Sequence, residues 1–350
     1  MTETIDFTEL TERVKLALAG AASGTGATML PTETAEEIIG IVYERNFMRS
    51  LFPAMPMNRR IMKVPKLTGS VNFHQFTLSD AESGTAATES RHGTGEVELE
   101  LKTMMANIPI GNYLVAYGVE GLMSVLRDDI ASRLAFNEQS LFLNGDTETT
   151  TASNINGTYH ATNNPSGVST SVNDYLFNFD GLRKSAAATE VSVSGTFALS
   201  HLRTAISNLG VYADNREDLA FIVPRNLEVQ LLGLTELQTV DKYGPQAAVL
   251  SGEIGRIYGV RVFGTGVIPT TLDYTGQGDD GQATDAQTLA VLTHIRSPII
   301  GNPTVAERRF SIGFHDEPTK DRFVLIPRQD VAFNVRYSDA ICLLTGIDTI

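Results

Sequence analysis

Six histidines are the side chains of this sequence best suited to ligate a metal or act as general bases, and each stands alone. No two of them are three or four residues apart, the spacing that places a pair of ligands on one helical face. They are His74, His92, His160, His201, His294 and His315. We expect each to be a surface or packed histidine, so the sequence predicts no metal site.

The motifs of common enzymes are also missing. The sequence has no GxxxxGKS/T loop, no GxGxxG after a predicted strand, no GxSxG and no HExxH. Aspartates in residues 273–285 could bind calcium, but their spacing differs from an EF-hand and the intervening glycines favour a flexible loop. The single cysteine, Cys342, excludes an internal disulfide and a Cys-based zinc site. We therefore predict no catalytic residue and no cofactor.

Charged residues form the one regular pattern that could bind a partner. Glu96, Glu98 and Glu100 alternate with apolar residues, which places all three on one face of a strand. Basic residues lie nearby in the sequence, namely Arg59, Arg60, Lys63 and Lys66. The glutamates either pair with Arg or Lys of a neighbouring subunit or face solvent.

The same alternation predicts a long β-hairpin over residues 61–110. Val71 and Phe73 mark its first strand, and the glutamate stripe marks the second. The tip, residues 79–95, is polar and includes Glu82, Glu89 and Arg91. Such a tip cannot stabilise itself by burial, so it is either mobile or held by a neighbouring molecule.

A long amphipathic helix follows, over residues 117–146. Its apolar residues recur at helical spacing, while Asp128, Ser132 and Gln139 lie on the opposite side. Some 25 residues give a rod of about 38 Å. We expect Gly145 to end the helix in the left-handed conformation. The apolar residues are Leu122, Val125, Leu126, Ile130, Leu134 and Leu141.

The flanking segments read as an arm and a second domain. Residues 1–28 hold one short helical pattern with Phe7, Leu10 and Val14, which we interpret as an arm. From residue 176 onward helices and strands alternate, which predicts an α+β or α/β domain.

Composition excludes several classes of protein. With 350 residues, 42% of them hydrophobic, the chain can bury a large core, and no apolar run approaches the length of a membrane span. A net charge of -14 argues against a basic groove that grips nucleic acid. An acidic protein can still enclose DNA without binding it tightly.

Several segments, taken in order, resemble the major capsid proteins of tailed bacteriophages, which have the Hong Kong 97 fold. MLPTETAEEIIGIVYERNFMRSLF resembles the opening segment of that family, and the helix ending in FLNGD resembles its spine helix. The hairpin corresponds to the family's extended loop. AFIVPRNLEVQLLGL and GEIGRIYGVRVFGTGVIP are similar to strands and a helix of its axial domain. The resemblance begins near Met29 and covers most of the chain.

The resemblance implies an α+β subunit with an N-terminal arm, an extended hairpin loop, a spine helix, and peripheral and axial domains. It divides the chain into an arm at 1–28, a peripheral-domain entry at 29–60 and the hairpin at 61–110. The peripheral domain with the spine helix follows at 111–175, then the axial domain at 176–325 and closing strands returning to the peripheral domain at 326–350.

The implied function is an icosahedral shell of pentamers and hexamers that encloses a double-stranded DNA genome. Expected partners are other copies of the chain, a separate scaffolding protein, a portal protein and possible decoration proteins. The expected place is the virion capsid, assembled in the cytoplasm of the host bacterium, with no membrane. Since residues 79–95 contain no lysine, we expect no lysine-to-asparagine cross-link at the tip.

Candidate contacts between subunits are the arm, the hairpin and its stem. Loops at residues 241–245 and 273–285 are further candidates, at capsomer centres or on the exterior. The contact residues are Phe7, Leu10, Val14, Arg59, Arg60, Glu82, Glu89, Arg91, Glu96, Glu98 and Glu100. Two alternatives stay open: an encapsulin, which houses an enzyme in a shell of the same fold, and a soluble α/β enzyme with an unrecognised site.

Overall fold

The computed structural model describes residues 47–69, 71–83, 89–112, 122–148, 154–156, 175–234, 255–278, 286–305 and 311–349. The arm residues Phe7, Leu10 and Val14 and the loop at 241–245 lie outside this described part.

Helices and strands are mixed along the chain, which confirms the α+β class. The helices are α1 Met48–Leu51, α2 Leu78–Ser83, α3 Leu122–Asn144, α4 Leu182–Ser185, α5 Leu199–Asn208 and α6 Arg225–Gly233. The strands are β1 Ala54–Met57, β2 Ile61–Gly69, β3 Gly93–Glu100, β4 Lys102–Met105, β5 Ile108–Gly111, β6 Val191–Gly195, β7 Leu219–Pro224, β8 Arg256–Ile257, β9 Val260–Thr265, β10 Gln287–His294, β11 Pro298–Pro303, β12 Ser311–Glu317, β13 Arg322–Val335 and β14 Ile341–Asp348. None of the described helices is long and apolar enough to cross a membrane.

The strands form two large sheets and a two-stranded hairpin. In the first sheet the order is β1-β11-β13-β12, and β4 and β5 also pair with β13. The second sheet has the order β6-β14-β10-β7-β9-β8. β2 and β3 form the hairpin stem.

The second sheet is buried on both faces, which explains its continuous apolar strands. All six residues of β7 are buried. Ala220 and Ile222 face a core shared with α3, while Phe221 and Val223 face a core shared with α5 and α6. The first of these cores also includes Phe333 of the first sheet, so one apolar core joins the two sheets through α3.

The sheets do not follow the linear division of the sequence. β11 and β12 lie within residues 176–325, yet they belong to the first sheet with β13. β14 lies within residues 326–350, yet it belongs to the second sheet, between β6 and β10. The chain therefore crosses between the sheets twice near its end, from β10 to β11 and from β13 to β14.

Ser297 joins these two crossings. Its buried hydroxyl donates a hydrogen bond to the carbonyl of Tyr337 (2.6 Å) and accepts one from the Tyr337 amide (3.2 Å). The amide of Arg336 donates to the Ser297 carbonyl at 2.8 Å. We call residues 295–297 and 336–340 the joint.

The long helix differs from its prediction at its carboxyl end. It is buried all round from Glu138 to Asn144, including Gln139, which the amphipathic pattern placed on the polar side. Gly145 does not adopt a positive φ, so the predicted left-handed cap is wrong. The glycine is required by a close approach, since a Cβ there would lie 2.3 Å from the carbonyl oxygen of Phe179 and 2.6 Å from that of Leu141.

The hairpin also differs from its prediction. The ladder between β2 and β3 runs from the pair Ile61↔Glu100 to the pair Gly69↔Gly93. Val71 and Phe73 lie beyond it in a segment without ladder bonds, so the predicted strand ends too late. Within the tip, Leu78–Ser83 is helical, which the polar composition did not indicate.

Candidate inter-subunit surface

One face of the hairpin stem anchors it to the first sheet. Val64 and Leu99 are buried against Met57, Ile299 and Ala332. Asn334 donates its side-chain amide to the carbonyl of Glu98 at 2.7 Å. Further along, Lys66 Nζ donates to the carbonyl of Arg336 at 3.4 Å. The base of the hairpin is therefore fixed by both apolar and polar contacts.

The opposite face of the stem carries the predicted charged stripe. Lys63 pairs with Glu96 across the two strands. Arg60 Nη2 lies 2.9 Å from Glu100 Oε1, and Lys102 Nζ lies 3.0 Å from Glu100 Oε2. Three of the predicted contact residues, Arg60, Glu96 and Glu100, are thus already paired within the chain, while Glu98 and Arg59 are exposed.

These ion pairs shift the titration of the stem. The hydrogen bond from Lys102, with the charge of Arg60, lowers the pKa of Glu100. The hydrogen bond to Glu96 raises the pKa of Lys63. Exposed pairs of this kind contribute little net stability. Glu96 and Glu100 therefore already have countercharges within the chain.

Apolar side chains beyond the stem are the feature that the sequence interpretation missed. Phe73 is 97% exposed and Phe76 is 53% exposed, and on the stem Leu67 is 57% exposed. Their signal in the sequence was present: two aromatics three residues apart beside a polar tip. The alternation with Asn72 and His74 predicts that Phe73 lies in a strand instead. Large exposed apolar groups close together are typical of protein interaction sites.

The charged tip residues are also exposed. Glu82 lies in α2, and Arg91 Nη2 pairs with Glu89 Oε2 at 3.0 Å on the returning segment. The tip therefore presents aromatic and charged groups together.

A buried polar cluster lies at the end of α3. Arg183 is buried and donates to Asn144 Oδ1 (2.8 Å) and to the carbonyl of Gly276 (2.7 Å). Burial lowers its pKa to about 10, against the opposing effect of Asp146 and Asp273, so the guanidinium stays charged at neutral pH. Asp146 lies 3.0 Å from Lys184 Nζ and accepts the amides of Glu148 and Ile155.

A second buried carboxylate ties α3 to the first sheet. Glu138 is 3% exposed and accepts hydrogen bonds from Arg49 of α1 and from Gln329 of β13 (3.0 Å). Arg49 also donates to Asn302 of β11 at 2.8 Å. These contacts fix α3 against α1 and the first sheet.

Chemically reactive groups are sparse in the described residues. They contain no group of three His, Cys, Asp or Glu side chains placed to hold a metal. Burial raises the pKa of the Cys342 thiol to about 12, so it stays protonated and unreactive.

Comparison with known proteins agrees with this arrangement. A family model described as "Phage capsid family" matches residues 26–236, more than half of the chain. The "Major capsid protein" of Klebsiella oxytoca phage phiKO2 is 26% identical over 136 residues, which cover 39% of this chain and 30% of that protein. The match therefore spans less than a third of that relative's length.

Solved structures share the fold over nearly the whole chain. The capsid of the native GTA particle has a TM-score of 0.63 at 13% identity, covering 93% of this chain and 100% of that chain. The SrpI encapsulin of Synechococcus elongatus PCC 7942 has a TM-score of 0.53 at 11% identity, covering 94% and 96%. Likeness at such identities shows the fold alone, and the predicted Hong Kong 97-type fold is confirmed. Because the family model matches more than half of the sequence, the chain belongs to the phage capsid family.

Proposed function

We propose that this chain is the major capsid protein of a tailed double-stranded DNA bacteriophage. One observation carries the proposal beyond family membership: an anchored hairpin presents Phe73 and Phe76 to solvent beyond its stem. An isolated monomer gains nothing from exposed aromatics on a projecting hairpin. A subunit that clasps identical neighbours in a symmetric shell buries them in every copy.

The contacts between subunits would come from the hairpin and the arm. In the hairpin they comprise the aromatics Phe73 and Phe76 with the charged tip residues Glu82, Glu89 and Arg91, and in the arm Phe7, Leu10 and Val14. The stem residues Arg59, Arg60, Glu96, Glu98 and Glu100 would line the edge of the same contact. Pentamers and hexamers joined in this way would close the icosahedral shell.

The genome would be enclosed without tight binding. The net charge of -14 is the same sign as that of DNA, so the inner wall would not hold the packaged polymer at fixed places. We propose that the protein acts by packing and rearrangement and not as an enzyme.

Assembly would take place in the cytoplasm of the host bacterium, with a separate scaffolding protein and a portal protein. Because residues 79–95 contain no lysine, stability would come from buried interface area and possible decoration proteins instead of a cross-link at the tip.

An encapsulin-type compartment is the second candidate, favoured by the likeness to the SrpI encapsulin. The two functions differ in the contents of the shell. A capsid encloses DNA, whereas an encapsulin encloses a protein cargo.

Negative-stain electron microscopy with sedimentation tests both candidates. The chain is expressed alone and then with its neighbouring viral genes. Closed shells, or hexamers and pentamers that become shells with a partner, support a shell protein, and nucleic acid inside them supports the capsid. A homogeneous monomer or dimer under every condition would contradict both candidates.

A further inference from the structure

A cavity of about 680 Å³ separates the outer part of the hairpin from the flank of the second sheet. Tyr212, in the turn after α5, lines the side formed by the second sheet's flank. The hairpin lines the rest with Leu67, Thr68, Gly69, Val71, Phe73 and His92. The hairpin and Tyr212 of one chain thus face each other across open space.

The hairpin has a natural hinge where this cavity begins. Gly69 and Gly93 form the last pair of the ladder, and the register shifts between Leu67 and Gly69. A Cβ on Gly93 would lie 2.8 Å from Thr68 Oγ1 and 2.9 Å from the Gly69 nitrogen. Only glycine lets the two backbones approach so closely. Beyond them residues 71–77 form no ladder, and the Asn72 amide donates to the Ser90 hydroxyl at 2.7 Å.

Tyr212 packs against two other aromatic side chains. Its ring lies 5.9 Å from that of Tyr337 and 6.4 Å from that of His294, between centroids. Tyr337 belongs to the joint, where Ser297 fixes its backbone. The ring of Tyr212 is therefore packed against a fixed part of the chain.

One residue of the stem already contacts the joint. Lys66, three residues before the hinge glycine, donates to the carbonyl of Arg336 in the joint. Tyr212 packs on Tyr337 of the same segment, so closure would extend an existing contact within the chain. On the hairpin side it would cover Leu67 and Phe73, which are now 57% and 97% exposed.

We propose that residues 71–83 and 89–92 form a strap that closes on Tyr212 of the same chain before assembly. Closure shelters the apolar side chains that the assembled shell would bury against a neighbour, and so holds the free subunit back from premature association. A neighbouring subunit must displace the strap from Tyr212 before that neighbour can dock. This inference rests on the proposed shell function.

Engineered disulfides test closure while leaving Leu67, Phe73 and Tyr212 in place. We would pair Val71→Cys with Val211→Cys, which is exposed beside Tyr212, and as a second pair His92→Cys with Val211→Cys. A disulfide requires Cα atoms about 4.4–6.8 Å apart, so it reports closure. The native Cys342 is buried and protonated and does not compete. Val71→Cys with Val229→Cys, exposed on α6 and outside the cavity lining, is the matched control.

In unassembled protein we expect both test pairs to oxidise within one chain while the control pair stays reduced. Adding Tyr212→Ala should abolish the difference. Oxidised subunits should lose assembly, and a reductant should restore it. Oxidation no faster than in the control, shells built from oxidised subunits, or disulfides only between subunits would each overturn the strap.

The outcomes separate the strap from the function it rests on. An intrachain disulfide in a protein whose unaltered form never builds shells would contradict the capsid function and leave closure established. If the unaltered protein builds shells but the variants form no intrachain disulfide, the strap is overturned and the capsid function stays supported.

Discussion

Arg183 is a buried charge that joins two segments distant in the sequence. Its two terminal nitrogens satisfy Asn144 at the end of α3 and the carbonyl of Gly276, two segments that are 132 residues apart in sequence. Burying a charge is costly unless hydrogen bonds compensate for lost hydration. Without the guanidinium, both acceptors would be buried and unsatisfied.

Arg183→Met should therefore lower the free energy of unfolding by about 3 kcal/mol, since each orphaned acceptor costs roughly 1–3 kcal/mol. Urea denaturation of the unassembled subunit measures this change. Arg203→Met, on the exposed side of α5, is the control and should change stability by less than about 0.5 kcal/mol. Equal stability of the two variants would mean that Arg183 does not support the end of the helix.

Gly145 and Gly181 determine how the end of α3 packs against the residues just before α4. Gly181 donates its amide to the Gly145 carbonyl at 2.8 Å, and neither residue has room for a side chain. The end of α3 therefore packs backbone against backbone. Close approach rather than a turn conformation makes glycine necessary here.

Gly145→Ala should destabilise the subunit by about 2–3 kcal/mol, because both clashing atoms are backbone oxygens that cannot move aside. Gly233→Ala is the matched control. A Cβ on Gly233, the last residue of α6, meets nothing within 4 Å, so alanine should be neutral or stabilise by up to about 1 kcal/mol. Thermal unfolding followed by circular dichroism compares them, and equal melting temperatures would refute the steric argument.

Elements with a regular apolar period could be predicted from the sequence. The long helix and the stem strand with its three glutamates both follow from periodicity. The carboxyl end of α3 could not, because Glu138 and Gln139 are buried by partners distant in sequence. The strand predicted through Phe73 failed because alternation also occurs in extended chain without a partner. The contact surface was predicted by charge, whereas its aromatics were overlooked.

At the scale of the whole molecule, charge opposes assembly. Copies that each carry -14 repel one another, and surface contacts add little to offset this. Since Glu96 and Glu100 are neutralised within the hairpin, the repulsion acts between whole subunits more than at the docking stem.

Raising the ionic strength from 0.01 M to 0.15 M should therefore lower the concentration needed for shell formation, since the screening length falls from about 30 Å to about 8 Å. Light scattering over a series of salt and protein concentrations measures this threshold. A threshold that rises with salt would show instead that attractive charge pairs between subunits dominate.

The position of β14 determines when the second sheet can form completely. It is made after all the other described strands, yet it lies inside the second sheet, paired with β6 on one side and β10 on the other. Until it has been synthesised, β6 has no partner among the described strands and cannot join that sheet. Translation at roughly 5–20 residues per second thus delivers the decisive strand only when residue 348 has been added. A growing chain that has not reached β14 therefore cannot complete the second sheet.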